Sequence, residues 1–132
     1  MKELELQIDA VCENCSFKIK VNKSTVETTT FMTYDNEIVY VIWYKCPKCG
    51  RVHYIQIDND NTKKILEYSK DILKKVMVYN SKYQTPPKKL KNKLDKVRKR
   101  LTNCRIELMK KYNKTVFKDL QTREEVFISF SL

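Results

Sequence analysis

Four of the five cysteines in this 132-residue chain fall into two C-x-x-C pairs, Cys12/Cys15 and Cys46/Cys49, with 30 residues between the pairs. A C-x-x-C turn sets two sulfurs on one side of an ion, where backbone N–H groups of the turn can bond to them. A second turn facing the first completes a tetrahedral shell. Thiolate suits zinc, a borderline-soft ion that takes four ligands in structural sites. The expectation is one structural Zn2+ held by Cys12, Cys15, Cys46 and Cys49, with no coordination position left open for chemistry. The competing readings are a disulfide or redox pair, a catalytic zinc, and replacement of one cysteine by His53, the single histidine, four residues past Cys49. The fifth cysteine, Cys104, falls on an apolar helical seam and reads as a small buried hydrophobe rather than a fifth ligand.

Nothing else in the chain supports catalysis. There is no second histidine, P-loop or G-x-S-x-G element, and no paired-carboxylate spacing. The chain is therefore read as a non-enzyme. The opening MKELELQIDA alternates charge with hydrophobe and has no apolar signal-peptide core. The longest apolar block, Ile38 to Tyr44, is far shorter than the ~20 residues of a membrane span. A cytoplasmic protein is expected, without membrane association, in a compartment that keeps thiols reduced and favours metal over disulfide.

The elements that must bring the two pairs together are legible as strands. Residues 3 to 10 alternate, with Leu4, Leu6, Ile8 and Ala10 on one face, and run into the first pair. Phe17, Ile19 and Val21 alternate with Lys18 and Lys20 as a return strand. The Thr-rich stretch from Ser24 to Thr33 favours β structure, and Asp35-Asn36 reads as a turn. Ile38 to Tyr44 enters the second pair and Val52 to Ile57 leaves it. Antiparallel pairing of these strands would absorb the long spacer.

At Asp58-Asn59-Asp60-Asn61 the pattern changes to helix, with N-cap candidates followed by Ile65, Ser69, Ile72, Val76 and Tyr79 at three-to-four spacing. Thr85-Pro86-Pro87 reads as a second helix start, a capping hydroxyl followed by proline in the first turn. Leu90, Leu94, Val97, Leu101, Cys104, Leu108 and Tyr112 then form a near-heptad seam. The short connection makes the two helices antiparallel neighbours. Val126, Ile128, Phe130 and Leu132 alternate as a closing strand that returns to the N-terminal sheet. The fold expected is α+β: an antiparallel zinc-ribbon-like β-sheet, a long antiparallel helical hairpin and a C-terminal strand. It is read as one domain over 1–132, with a β region at 1–61, a basic hairpin at 62–114 and a C-terminal turn and strand at 115–132.

Strands flanking Cys12-Glu13-Asn14-Cys15 and Cys46-Pro47-Lys48-Cys49-Gly50 resemble the zinc-ribbon family over roughly residues 4 to 57. The resemblance implies a fold and a metal, and no single function. One departure is Ser16, which stands where the family commonly has glycine.

The net charge of +11 is uneven. Residues 62–114 hold 18 Lys/Arg against 4 Asp/Glu, a net of +14, and the remainder is −3. Lys88, Lys89, Lys91, Lys93, Lys96, Arg98, Lys99 and Arg100 cover everything on the second helix except its seam. Lys88 and Lys89 work against the helix dipole in the first turn, which points to an external anionic partner. The plain alternative is a solvated lysine-rich face. Tyr68, Tyr79, Tyr83 and Tyr112 interleave with the charges and could stack on bases, although Tyr79 and Tyr112 fall on the seams.

Small size, a Lys/Asn/Tyr/Ile-rich composition and the lack of catalytic groups also resemble small accessory proteins of phages and prophages from low-GC Gram-positive bacteria. These include anti-CRISPR inhibitors of type II nucleases. That resemblance implies an inhibitor, acting in the bacterial host cytoplasm as monomer or dimer, that docks on an RNA-guided nuclease or similar nucleic-acid enzyme and blocks its DNA loading. Direct DNA or RNA binding, and an accessory role in transcription or replication, stay open beside it.

Overall fold

The computed structural model of the protein describes residues 8–12, 15–21 and 24–130. The N-terminal part of the first expected strand and Leu132 lie outside these. Seven strands and two helices follow in the order β1 (Ile8–Val11), β2 (Lys18–Val21), β3 (Glu27–Met32), β4 (Ile38–Lys45), β5 (Val52–Asp58), α1 (Asp60–Ser81), α2 (Lys88–Tyr112), β6 (Thr115–Asp119) and β7 (Glu125–Ile128). The architecture is α+β, as the periodicities indicate, and every ladder is antiparallel.

The strands divide into two sheets. Among the described residues β1 and β2 pair only with each other, and the five-stranded sheet has the order β5-β4-β3-β6-β7. β6 has no counterpart in the sequence reading. It follows the end of α2 after a two-residue turn and pairs with β3 through Phe31–Asp119 and Met32–Lys118. β7 then pairs with β6, so the C-terminal strand does return to the sheet. Just past β7, Phe130 makes a parallel bridge to Tyr54 of β5. The sheet therefore curls until its first and last members meet, which shortens the exposed edges.

The inward faces of this curled sheet make the main core: Phe31, Val39, Val41, Ile57, Phe117, Ile128 and Phe130, with Tyr112 of α2 inserted among them. Phe117 is at its centre, edge-on to Phe31, Tyr112 and Phe130 with ring centroids 5.7, 6.0 and 6.4 Å away. Ile55 has no partner in the β4–β5 ladder, where Ile42 faces Gln56 and Trp43 faces Tyr54. This bulge shifts the alternation, so Tyr54 and Ile57 both turn toward the core.

Asn59 begins α1 with a reciprocal cap. Its side chain accepts from the Thr62 N–H, and the Thr62 hydroxyl accepts from the Asn59 N–H, each at 2.9 Å. The second helix begins differently from the sequence reading. Thr85 makes no cap: α2 starts at Lys88 with Pro87 at the N-cap position and no side-chain cap bond. The second proline supplies the extended entry (φ −56°, ψ 137°), and its carbonyl accepts from Leu90 and Lys91.

The hairpin has two halves. Near its base, Leu108, Met109 and Tyr112 pack on the sheet core. Asp58 at the end of β5 receives the Arg105 guanidinium on both carboxylate oxygens, at 2.7 and 3.4 Å. Toward its far end, Ile72, Val76 and Leu94 are buried with Leu73, Leu90 and Val97, a cluster made of helix residues alone.

The β3–β4 turn is tied to the ends of both helices. The Tyr112 hydroxyl lies 2.9 Å from Asp35 and also meets Glu37, while Lys111 Nζ sits 3.1 Å from Asp35. Asn59 donates to Glu37 at 2.7 Å. Among the described residues, no helix is long and apolar enough to cross a membrane.

Candidate metal centre and basic surface

The two C-x-x-C segments have closely similar backbones. In the first, the Ser16 N–H donates to the Cys12 carbonyl at 2.7 Å and the Cys12 N–H to the Phe17 carbonyl at 3.0 Å. In the second, the Gly50 N–H donates to the Cys46 carbonyl and the Cys46 N–H to the Arg51 carbonyl, both at 2.9 Å. Each turn is closed by a residue in the left-handed region, Ser16 at φ 60° and Gly50 at φ 77°. Gly50 takes this conformation without steric penalty. Ser16, where a ribbon usually has glycine, takes it with a Cβ.

The turns join β1 to β2 and β4 to β5, and they face each other. Cys12 Sγ lies 3.5 Å from Cys49 Sγ, and Cys15 Sγ 3.5 Å from Cys46 Sγ. All four sulfurs lie within 4.8 Å of one another. A tetrahedral zinc with bonds of about 2.3 Å separates its sulfurs by about 3.8 Å, so the cluster has the size of one such shell. None of the five cysteines forms a disulfide; Cys12 and Cys46 are buried and Cys49 is exposed.

The electrostatics also suit a cation. N–H groups of Cys49 and Lys48 point at the Cys46 sulfur and lower its pKa. At Cys15 the Phe17 N–H favours the thiolate, but desolvation and the three neighbouring sulfurs outweigh it and push the thiol up to about 12. Four sulfurs this close cannot all ionise without a positive ion among them. The four cysteines can hold one metal ion, an arrangement compatible with a zinc-ribbon-like site.

His53 is not part of the cluster. Its ring stacks on Tyr44 with centroids 4.9 Å apart, and its buried Nε2 has no hydrogen-bond partner among the described residues. Cys104 is also outside it, half-buried on α2 beside Asn59, Asn61 and Thr62.

The eight basic residues singled out on the second helix, Lys88, Lys89, Lys91, Lys93, Lys96, Arg98, Lys99 and Arg100, are all exposed. They occupy the first half of α2, the part whose buried partners come from α1 rather than the sheet. Of the four interleaved tyrosines, Tyr112 is fully buried in the core and Tyr83 is fully exposed at the hairpin turn. Tyr68 lies under Lys93 Nζ at 5.3 Å.

The sequence reading passed over Lys75, Lys82 and Val78. With Lys89 and Lys93 they line an open groove at the far end of the hairpin. Lys75 and Val78 fall off the seam of α1, and only the position of α2 beside them shows that they share a surface.

Comparison of the chain with protein-family models, curated proteins and solved structures gave no match.

Proposed function

We propose that this protein is a non-enzymatic docking protein. One structural zinc ion fixes the β1–β2 finger against the β4–β5 turn, and the far half of the helical hairpin binds an acidic surface. The observation that carries this reading is the placement of eight exposed cations on the half of α2 that packs only on another helix. Apart from Lys93, which sits over the Tyr68 ring, none of these cations has an ion pair or ring contact among the described residues, and two of them lie in the unfavourable first turn.

An all-sulfur donor set suits zinc and other soft or borderline ions and disfavours hard cations such as Mg2+ and Ca2+. A shell filled by four protein sulfurs leaves no site for substrate or water, which supports a structural role. The sequence resemblance suggests a partner: a bacterial nucleic-acid enzyme, such as an RNA-guided nuclease whose DNA loading is blocked.

Two measurements on the zinc-loaded protein test the reading. In the first, metal analysis gives one zinc per chain, and a stoichiometry near zero removes the structural-zinc part. In the second, affinity capture from bacterial lysate is run beside a salt-titrated DNA and RNA shift assay. A protein partner lost on joint charge reversal of Lys88, Lys89, Lys96 and Arg100 supports docking.

A second reading, direct nucleic-acid binding, rests on the same cations and on fully exposed Tyr83 beside them. Tight binding that falls steeply with salt, with no protein captured, would replace the docking reading with this one.

A further inference from the structure

The groove at the far end of the hairpin combines two chemistries. It measures about 570 Å³ and lies between the last turns of α1 and the first turn of α2. Its floor is apolar, made by Val78, Tyr79, Pro87 and Leu90. Val78 is 52% exposed, although a valine on a two-helix hairpin could as readily have faced inward. Cations line the groove from both helices, Lys75 of α1 with Lys82 just past its end and Lys89 and Lys93 of α2, and no carboxylate is among the described lining residues. Beside it Tyr83 stands fully exposed at the turn.

We infer that this groove receives an acidic amphipathic helix of a protein partner. The inference rests on the docking reading above and deepens it by naming the ligand chemistry. A nucleic-acid backbone would be served by the lysines alone and has no use for an apolar floor. A helix with an apolar stripe flanked on both sides by Glu or Asp matches floor and rims together, with the stripe on Val78 and Leu90 and carboxylates facing each pair of lysines. Tyr83 adds a rigid aromatic contact at the end of the groove.

The test uses a fluorescein-labelled 16-residue helical peptide, with Leu at i, i+4, i+7 and i+11 and Glu on the flanks, titrated into the full zinc-loaded chain. The controls are a scrambled peptide of the same composition, an oligoglutamate of the same charge and a single-stranded DNA 20-mer. The amphipathic peptide should bind at least about tenfold more tightly than either peptide control. Val78→Asp and the pair Lys82→Glu/Lys89→Glu should each weaken it by about tenfold or more, a difference of about 1.4 kcal/mol. Lys118→Glu/Arg123→Glu, two exposed positions at the β6–β7 hairpin away from the groove, should change it by less than about threefold.

Because Val78 is exposed, its replacement tests the floor without opening a core, and far-UV circular dichroism checks that the variant is folded. Equal binding of scrambled and amphipathic peptides, unchanged binding by Val78→Asp, or a preference for the DNA that Val78→Asp leaves intact would each overturn the inference. The two readings fail separately. A captured partner that ignores Val78→Asp but is lost on reversal of Lys96 and Arg100 keeps docking and removes the groove. Groove-specific peptide binding with no captured partner keeps the groove chemistry and removes the docking role.

Discussion

Ser16 and Gly50 hold equivalent places in two matching turns, and only one of them is a residue suited to that place. A non-glycine in the left-handed region costs roughly 1 kcal/mol. Ser16→Gly should therefore stabilise the metal-loaded finger by about 0.5–1 kcal/mol, less the entropy that glycine adds to the unfolded chain. Competition of each protein against a zinc chelator reads this, and weaker metal retention by Ser16→Gly would show that the serine contributes something the backbone does not reveal.

Asp35 gives a second prediction at this scale. The Thr33 hydroxyl, opposed by desolvation and joined by Tyr112 and Lys111, lowers its pKa from 3.8 to about 2. A depressed carboxylate contributes stability that is present above its unfolded pKa and lost as pH falls through the folded one. Denaturant midpoints should therefore drop between about pH 4 and pH 2 in the native protein and flatten over that range in Asp35→Asn. Parallel curves would mean the carboxylate is not the titrating group. At the alkaline end, burial and the Glu37 contact raise Tyr112 from 10.0 to about 12. By the same linkage its contribution is present at neutral pH and lost as pH rises through that range.

Among the elements, the β1–β2 pair is the least self-sufficient. A two-stranded hairpin alone is marginal in water, and none of the described side chains of β1 and β2 belongs to the main core. Among the described residues no strand ladder joins it to the five-stranded sheet. The metal should therefore order β1 and β2 while the rest stands without it. Hydrogen exchange after chelation, or in Cys46→Ser, should show fast amides in β1 and β2 and continued protection in β3–β7 and both helices. Loss of protection throughout would make the metal central to the whole fold.

The cap at Asn59, both helices and six of the seven strands were legible because each carries a local signal: alternation, a three-to-four period or a capping residue. β6 carries only Val116 and Phe117 as apolar residues next to a helix end, and it exists because β3 offers it an edge. The division into two sheets was equally hidden, since periodicity says which face of a strand is buried and not which neighbour covers it. The four cysteines were legible at once because their chemistry lies in residue type and spacing. The groove lysines were not, because proximity between two helices is a tertiary fact.

At the scale of the molecule, Arg105 and Asp58 connect the charged hairpin to the sheet. The carboxylate is 9% exposed and the guanidinium 21%. Removing one partner leaves the other charge buried, at a cost of roughly 3 kcal/mol. Arg105→Ala should lower thermal stability accordingly, with Arg105→Met recovering part of the loss through packing. A change of only a few tenths would show that Leu108, Met109 and Tyr112 anchor the hairpin unaided. The charge asymmetry, +14 on the helices against −3 elsewhere, gives the molecule one face able to meet polyanions and leaves the sheet electrostatically quiet.

The chain contains a single glycine, and it closes the second cysteine turn. Among the described residues the other left-handed positions fall to Ser16, Asn36, Tyr83, Lys114 and Arg123, of which only asparagine tolerates the conformation well. The protein thus carries an engineering reserve. Glycine at Lys114 and Arg123, away from the cysteines and the groove, offers a route to a hardier version for crystallisation or interaction screening that leaves both of those sites untouched.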